Sequence, residues 1–237
     1  MKLLLLAVAL VVPTAASAGQ CPELSGASTA LRGLDADARL RFVRQRLARE
    51  QGRARLWTGA WGGGYAALSL GQLAAMPLLG PADQIDNAIG VFTSVVGVAE
   101  LVAFPLDVLS DQPTLEARLP NLLAGPNPCA ALAEAERVFV RDAESEASGV
   151  TWLMHGANLA FNVLVGLVMG LGYGHWEAGA IEAATGFALG EATLFTQPTG
   201  LVGDLDRYRA GHFDAPAAES SWRLGAGGLS LQLSGRF

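Results

Sequence analysis

Two long stretches without a charged side chain constrain this fold more than any other feature. They cover residues 56–82 and 147–176, which are 27 and 30 residues long. A helix needs only about 20 apolar residues to cross the hydrocarbon layer of a membrane. A helix on the surface of a soluble bundle needs a polar outer face instead. The pattern therefore favours helices that face lipid, and an exported, membrane-free helical bundle is the alternative.

Four apolar segments follow one another in two pairs. They span residues 57–79, 85–106, 149–173 and 176–197. A short turn joins each pair, at Gly80-Pro81 and at residues 173–175, where glycine and proline interrupt the helical pattern. An amphipathic helix precedes each pair, a basic one that ends near Gly52 and an acidic one over residues 129–148. We therefore expect an all-α fold with four apolar helices in two hairpins plus two amphipathic helices, arranged as a helical membrane bundle.

These boundaries divide the chain into six regions. The regions are a signal peptide (1–18), a basic amphipathic N-terminal region (19–56), a first apolar helical hairpin (57–109), a Pro-rich loop with an acidic amphipathic helix (110–148), a second apolar helical hairpin (149–198) and a C-terminal tail (199–237). Proline lacks the amide that a helix interior requires, so the prolines after residue 110 predict irregular structure there. Alternating leucines near the end of the tail predict a short β-strand or a peptide-like tail that docks to a partner, and a flexible, unpaired tail is the simpler alternative.

The N-terminus and the cysteines together indicate export. Lys2, the apolar residues 3–12 and the small residues 16–18 are the three parts of a secretory signal peptide. In an oxidising compartment two cysteines most simply form one disulfide, and this chain has only Cys21 and Cys129. We predict that bond and a location in the cell membrane or envelope. The mature N-terminus would lie on the extracytoplasmic side.

The distribution of charge argues against the membrane interpretation. Residues 19–56 carry a net charge of +4, with eight arginines, and residues 57–237 carry −11. The turns that would face the cytoplasm, residues 80–86 and 173–177, contain no Lys or Arg, although such loops are usually basic. The basic segment predicts contact with anionic lipid headgroups or an acidic partner, and a solvated helix face is the simpler alternative.

Polar residues inside the apolar segments form the candidate site. They are Glu100, His155, Asn158, Asn162, Glu182 and Glu191. Ionisable groups within a membrane are costly and often mark ion or proton paths or ligand sites. The structural alternative is that they form hydrogen bonds between helices or lie near helix ends. Glu182 and Glu191 are nine residues apart, so they fall on opposite sides of one helix.

Motifs of catalysis are absent from the sequence. It contains no nucleophile motif, no complete phosphate-binding loop and no metal-ligand spacing, so we expect no enzymatic activity, no cofactor and no metal. An acidic exported chain is also not expected to bind nucleic acid. The expected partners are membrane lipids, and a protein partner or second copy through glycine-rich helix faces.

The function expected from these features is a structural or accessory role in the cell envelope. The first alternative is a transporter-like or proton-linked membrane protein that uses the intramembrane Glu and His residues. The second is an exported helical bundle that binds an apolar ligand between its helices.

Overall fold

A computed structural model describes Cys21, residues 24–213 and the backbone of two C-terminal strands. The predicted signal peptide lies outside these residues. The helices are α1 (Thr29–Arg32), α2 (Ala36–Ala75), α3 (Pro81–Ala103), α4 (Val108–Ala124), α5 (Ala130–Gly149), α6 (Trp152–Leu167), α7 (Trp176–Thr196) and α8 (Gly200–Ala210). A 3-10 turn (Met76–Leu78) follows α2, and a π-helical turn (Val168–Gly172) follows α6. The helical character of the chain is thus confirmed.

The tail contains more structure than an unpaired segment. Helix α8 occupies its beginning, and β1 (Ser221–Gly227) pairs with β2 (Ser230–Arg236) in an antiparallel hairpin. Paired antiparallel strands satisfy their backbone hydrogen bonds with each other. The prediction of a β-strand near the end of the tail is therefore confirmed, whereas docking of the tail to a partner stays a prediction.

Helix α2 is a single helix of 40 residues, and its predicted end near Gly52 is wrong. The Asp35 side chain begins the helix by accepting a hydrogen bond from the Ala38 amide, at 3.1 Å. Gln51 and Ala54 are buried on either side of the glycine. Tertiary packing on these flanking residues holds the helical conformation through a residue that only weakly favours it.

The prediction of a Pro-rich loop is also wrong over residues 110–124, which belong to α4. Pro113 and Pro120 both lie inside this helix. Val108, Leu115 and Leu119 are buried in the core that α4 shares with α2 and α5. Burying such side chains is worth about 1.5–3 kcal/mol each, which compensates for the hydrogen bonds that proline removes.

The molecule has two parts of different character. We call the first part the head, which consists of α1, residues 36–56 of α2, α4, α5 and α8. Its core includes Val43, Leu47, Phe139 and Tyr208, all fully buried. The predicted Cys21–Cys129 disulfide is present, with 5.3 Å between the two Cα atoms. This bond ties the start of the described chain to the start of α5, within the head.

We call the second part the apolar bundle, which consists of residues 57–75 of α2 together with α3, α6 and α7. Large apolar side chains cover its outside, and Leu78, Val102, Trp152, Leu153 and Leu171 are each at least 74% exposed. Two stretches, Pro81–Ala124 and Trp152–Gly172, contain helices that are long and apolar enough to cross a membrane. Only 17% and 22% of their apolar windows are buried. Helical structure is therefore established, whereas four membrane crossings remain a proposal.

Glycines bring α6 and α7 into close contact. A Cβ atom added at Gly166 would lie 2.9 Å from the Gly179 carbonyl oxygen, and one at Gly179 would lie 2.8 Å from the Gly166 oxygen. Real Cβ atoms do not approach so closely, so both positions require glycine at the observed helix separation. Such small-residue contacts are how apolar helices pack when lipid surrounds them.

Candidate functional site

Four of the six predicted site residues meet between α6 and α7. The His155 Nδ1 atom lies 2.6 Å from Glu191 Oε2. The Asn158 side-chain amide donates to Glu191 Oε1 at 2.9 Å and to the Phe187 carbonyl at 3.1 Å. The Asn162 side-chain amide donates to the Asn158 carbonyl and to its Oδ1 atom, at 2.9 and 2.8 Å. We call these four residues, His155, Asn158, Asn162 and Glu191, the α6–α7 polar cluster.

The helical repeat and two glycines position this cluster. His155, Asn158 and Asn162 are three and four residues apart, so they lie on one face of α6. On α7, Gly190 and Gly186 leave the space that the two asparagine side chains occupy, because an added Cβ atom would collide with their Oδ1 atoms. The sequence prediction found the polar residues but missed these glycines. Their four-residue spacing, the same as that of the two asparagines, was the available signal.

Glu182 and Glu100 lie outside the cluster. Glu182 Oε1 accepts a hydrogen bond from Thr93 Oγ1 at 2.9 Å, which places it on the α3 side of α7. Glu182 and Glu191 therefore face different neighbours, as their nine-residue spacing implies. Glu100 is exposed on α3, and its carboxylate makes no side-chain hydrogen bond with any residue in the described range.

Further polar contacts join the two hairpins through α7. Tyr65 on α2 and Thr193 on α7 share a hydrogen bond of 2.9 Å between their hydroxyl groups. The Trp61 indole nitrogen donates to Thr196 Oγ1 at 2.9 Å. At the opposite end, His175 Nδ1 lies 2.5 Å from Asp86 Oδ1. Part-buried polar contacts thus lie between the helices at both ends of the apolar bundle, the Trp61–Thr196 bond is exposed, and large apolar side chains cover much of the outside.

The α6–α7 polar cluster is suited to holding a proton between two groups. A histidine ring nitrogen and a carboxylate at 2.6 Å can share or exchange one proton, and the asparagine amide stabilises the charged carboxylate. The side chains of His155 and Glu191 are only 19% and 16% exposed. In the described part of the chain, no three His, Cys, Asp or Glu residues are arranged to hold a metal ion.

A second polar group, which sequence reasoning missed, lies in the head at the N-terminus of α8. Glu50 Oε1 accepts a hydrogen bond from the Gly200 amide at 3.1 Å, and Glu146 Oε2 accepts one from the Leu201 amide at 2.9 Å. The first amides of a helix lack partners within the helix and attract acceptors, so two carboxyl groups fix the start of α8. With the nearby Asp142, we call Glu50 and Glu146 the head acid cluster.

Burial makes the head acid cluster hold protons tightly. Burial first, and the neighbouring Glu50 carboxyl second, raise the pKa of Glu146 to about 9. Burial, and then the Asp111 carboxyl, raise the pKa of Asp142 to about 8. The pKa of Glu50 is raised mainly by burial, although Arg53 opposes the shift. A carboxyl group without a compensating cation is easier to bury in its neutral form.

The same part of the head contains a buried ion pair. Arg39 Nη2 lies 2.5 Å from Glu136 Oε1, and Arg39 Nε donates to the Tyr208 hydroxyl at 3.1 Å. The Tyr208 hydroxyl also donates to Glu136. All three residues are buried, and they connect α2, α5 and α8. Because every member has a polar partner, this network is explained as a structural element of the head.

Two open depressions lie on the described surface. One of 470 Å³ lies against α5 in the head, and one of 310 Å³ lies near the turns of the two hairpins. The second is lined by Gln72, Asp83, Asp86 and Glu182 beside the apolar Met169 and Ile181. Neither touches the α6–α7 polar cluster.

No protein-family model matches this chain, and neither curated proteins nor solved structures show a match to it. Its function is therefore argued from its own geometry.

Proposed function

We propose that the chain is an exported integral membrane protein with a structural or accessory role in the cell envelope. The two hairpins of the apolar bundle cross the bilayer, and the disulfide-bonded head lies on the extracytoplasmic face. The observation that carries this proposal is the distribution of side chains in the apolar bundle. Polar groups contact one another inside it, and large apolar groups cover its outside. A water-soluble bundle has the opposite arrangement.

Aromatic residues at both ends of the apolar bundle support this proposal. Trp152 and Phe195 are 89% and 72% exposed at the end next to the head, and Tyr173 and Trp176 are 52% and 54% exposed at the other end. The helices between these pairs are about 28–32 Å long. Tyrosine and tryptophan collect at the two interfaces of a membrane, and the hydrocarbon layer is about 30 Å thick.

The location of the arginines answers the objection from the charge distribution. The preference for basic cytoplasmic segments applies to short loops, whereas folded domains are exported largely regardless of their charge. The basic residues of α2 belong to the folded head, where Arg39 pairs with Glu136 and Arg44 pairs with Glu116. A signal peptide would already direct the head across the membrane.

Two arginine substitutions, each at an exposed leucine, test the membrane proposal. Leu164 in α6 and Leu123 in α4 are exposed to nearly the same degree, 59% and 57%. An arginine at the centre of a membrane helix costs about 2.5–3.5 kcal/mol on insertion scales, whereas an arginine in water costs almost nothing. We expect Leu164→Arg to reduce the membrane-inserted yield strongly, and Leu123→Arg to leave it unchanged. Release of the wild-type protein by carbonate, or equal behaviour of the two variants, would contradict the proposal.

Proton-linked activity is a second candidate, favoured by the contact of His155 with Glu191. In liposomes loaded with a pH-sensitive dye, we expect Glu191→Gln to abolish proton flux, because the amide cannot exchange a proton with the histidine ring. Glu100→Gln is the matched control, since Glu100 is exposed and apart from the cluster. Absence of flux in the wild-type protein, or equal flux in all three proteins, would exclude this activity.

A further inference from the structure

The boundary between the head and the apolar bundle carries basic residues on α2. Arg49, Arg53 and Arg55 lie within the last two turns before Trp57, and α2 has no acidic residue after Glu50. The Trp57 indole nitrogen donates to the Thr193 carbonyl at 3.3 Å, so this level of α2 matches the end of α7. The exposed Phe195 marks the same level. These arginines therefore stand directly above the aromatic end of the apolar bundle.

Two of the arginines border one outward-facing strip of α2. Arg49 and Arg55 are about 120° apart around the helix and about 9 Å apart along it. Between them the helix surface is open, because nothing lies within 4 Å of a Cβ atom added at Gly52. Leu56, at 75% exposure, continues this strip into the apolar bundle. A cationic surface thus passes within one turn into an apolar one.

The nearest acid, Glu50, is engaged inside the head, although the charge of Arg49 also acts on it. Glu50 is only 2% exposed and points to the Gly200 amide in the head. Arg53 contacts Glu50 at 3.2 Å on that inner side, whereas Arg55 is exposed and Arg49 is half-buried at the edge of the outward-facing strip. Guanidinium groups bind phosphate oxygens in a fixed, often bidentate geometry.

We infer that Arg49 and Arg55 form a site for the headgroup of an anionic phospholipid, whose acyl chains lie against Leu56 and the apolar face below it. The inference rests on the proposed function, because it requires lipid around the apolar bundle. It adds a preference for lipid charge, which membrane insertion alone does not demand. A basic residue near a membrane surface attracts anionic lipid with an energy that corresponds to about a five-fold change in binding.

The test measures which lipid stays bound to the full-length protein. The wild-type protein and variants are placed in vesicles of phosphatidylcholine and phosphatidylglycerol, extracted in mild detergent, and analysed for the lipids that copurify. We expect the wild-type protein to enrich phosphatidylglycerol, and the double variant Arg49→Gln/Arg55→Gln to lose most of this enrichment. Arg41→Gln is the control for position, because Arg41 is exposed on the same helix but about 22 Å along it from Leu56.

Three results would overturn the inference. They are equal retention of both lipids by the wild-type protein, unchanged enrichment in the double variant, and an equal loss in Arg41→Gln. Carbonate extraction of the same samples separates this failure from failure of the proposed function. A protein that stays in the membrane without selecting anionic lipid refutes only the headgroup site, whereas a protein released by carbonate refutes the membrane proposal itself.

Discussion

Glu146 is expected to make the stability of the head depend on pH. Its side chain is 1% exposed, and burial followed by the Glu50 carboxyl raises its pKa to about 9. In the unfolded chain a glutamate titrates near pH 4.3. The folded head therefore binds this proton more tightly than the unfolded chain does. The stabilising contribution is complete below the unfolded pKa and is lost as the pH rises toward about 9.

The magnitude follows from the proton linkage. Between the two pKa values, each such group lowers the free energy of unfolding by about 1.4 kcal/mol per pH unit. Glu146→Gln removes this proton equilibrium and keeps a side-chain oxygen that can accept the Leu201 amide. We expect the slope of stability against pH to become less negative by about 1.4 kcal/mol per unit between pH 5 and pH 8. Asp142 contributes a further slope in both proteins, because its pKa is raised to about 8.

Urea unfolding of the detergent-solubilised protein, followed by circular dichroism at a series of pH values, measures this slope. Glu144→Gln is the control, since Glu144 is exposed on the same helix and its loss leaves the buried group intact. Parallel curves for the wild-type protein and Glu146→Gln across this range would refute the argument. So would a change of slope of the same size in Glu144→Gln.

Three further substitutions, the first with a control substitution, test the packing of the two parts. Gly166→Ala is expected to weaken the contact of α6 with α7 and lower the thermal unfolding temperature. Gly156→Ala, where nothing lies within 4 Å, is expected to leave that temperature unchanged or to raise it, because alanine favours a helix more than glycine does. Tyr208→Phe leaves buried Arg39 and Glu136 with one fewer hydrogen-bond partner each. We therefore expect the free energy of unfolding, measured in urea, to fall by about 1–3 kcal/mol. An unchanged value would show that the hydroxyl contributes nothing. Cys129→Ser opens a loop of 108 residues and is expected to destabilise the head by about 2–5 kcal/mol, measured against wild-type protein with and without reductant.

The outline of the fold was predictable because long uncharged stretches have few stable solutions. These stretches located the apolar helices, and the presence of two cysteines behind a predicted signal peptide predicted the Cys21–Cys129 bond. The continuity of α2 through Gly52 and the helix around Pro113 were not predictable. In both places tertiary burial outweighs a local preference, and burial depends on neighbours that are distant in sequence.

The candidate site was predictable where its members share a helix. The spacing of His155, Asn158 and Asn162 places them on one face of α6, but their pairing with Glu191 depends on how α7 is rotated. Glu100 shows the limit of such reasoning, because a polar residue in an apolar segment can still lie on the outer surface. The head acid cluster was missed because Glu50 and Glu146 each looked like a solvated charge on an amphipathic helix.

Helix α2 belongs to the head and to the apolar bundle without interruption, over about 60 Å. An α-helix of this length resists bending, and no joint separates its two halves. A force that tilts the head, such as the pull of an attached neighbour, is therefore transmitted along α2 to the turn at residues 76–80. The first hairpin would then move with the head. Among the described residues, the second hairpin joins the head through the chain ends of α5 and α8 and contacts α2 through side chains such as Trp57 and Tyr65.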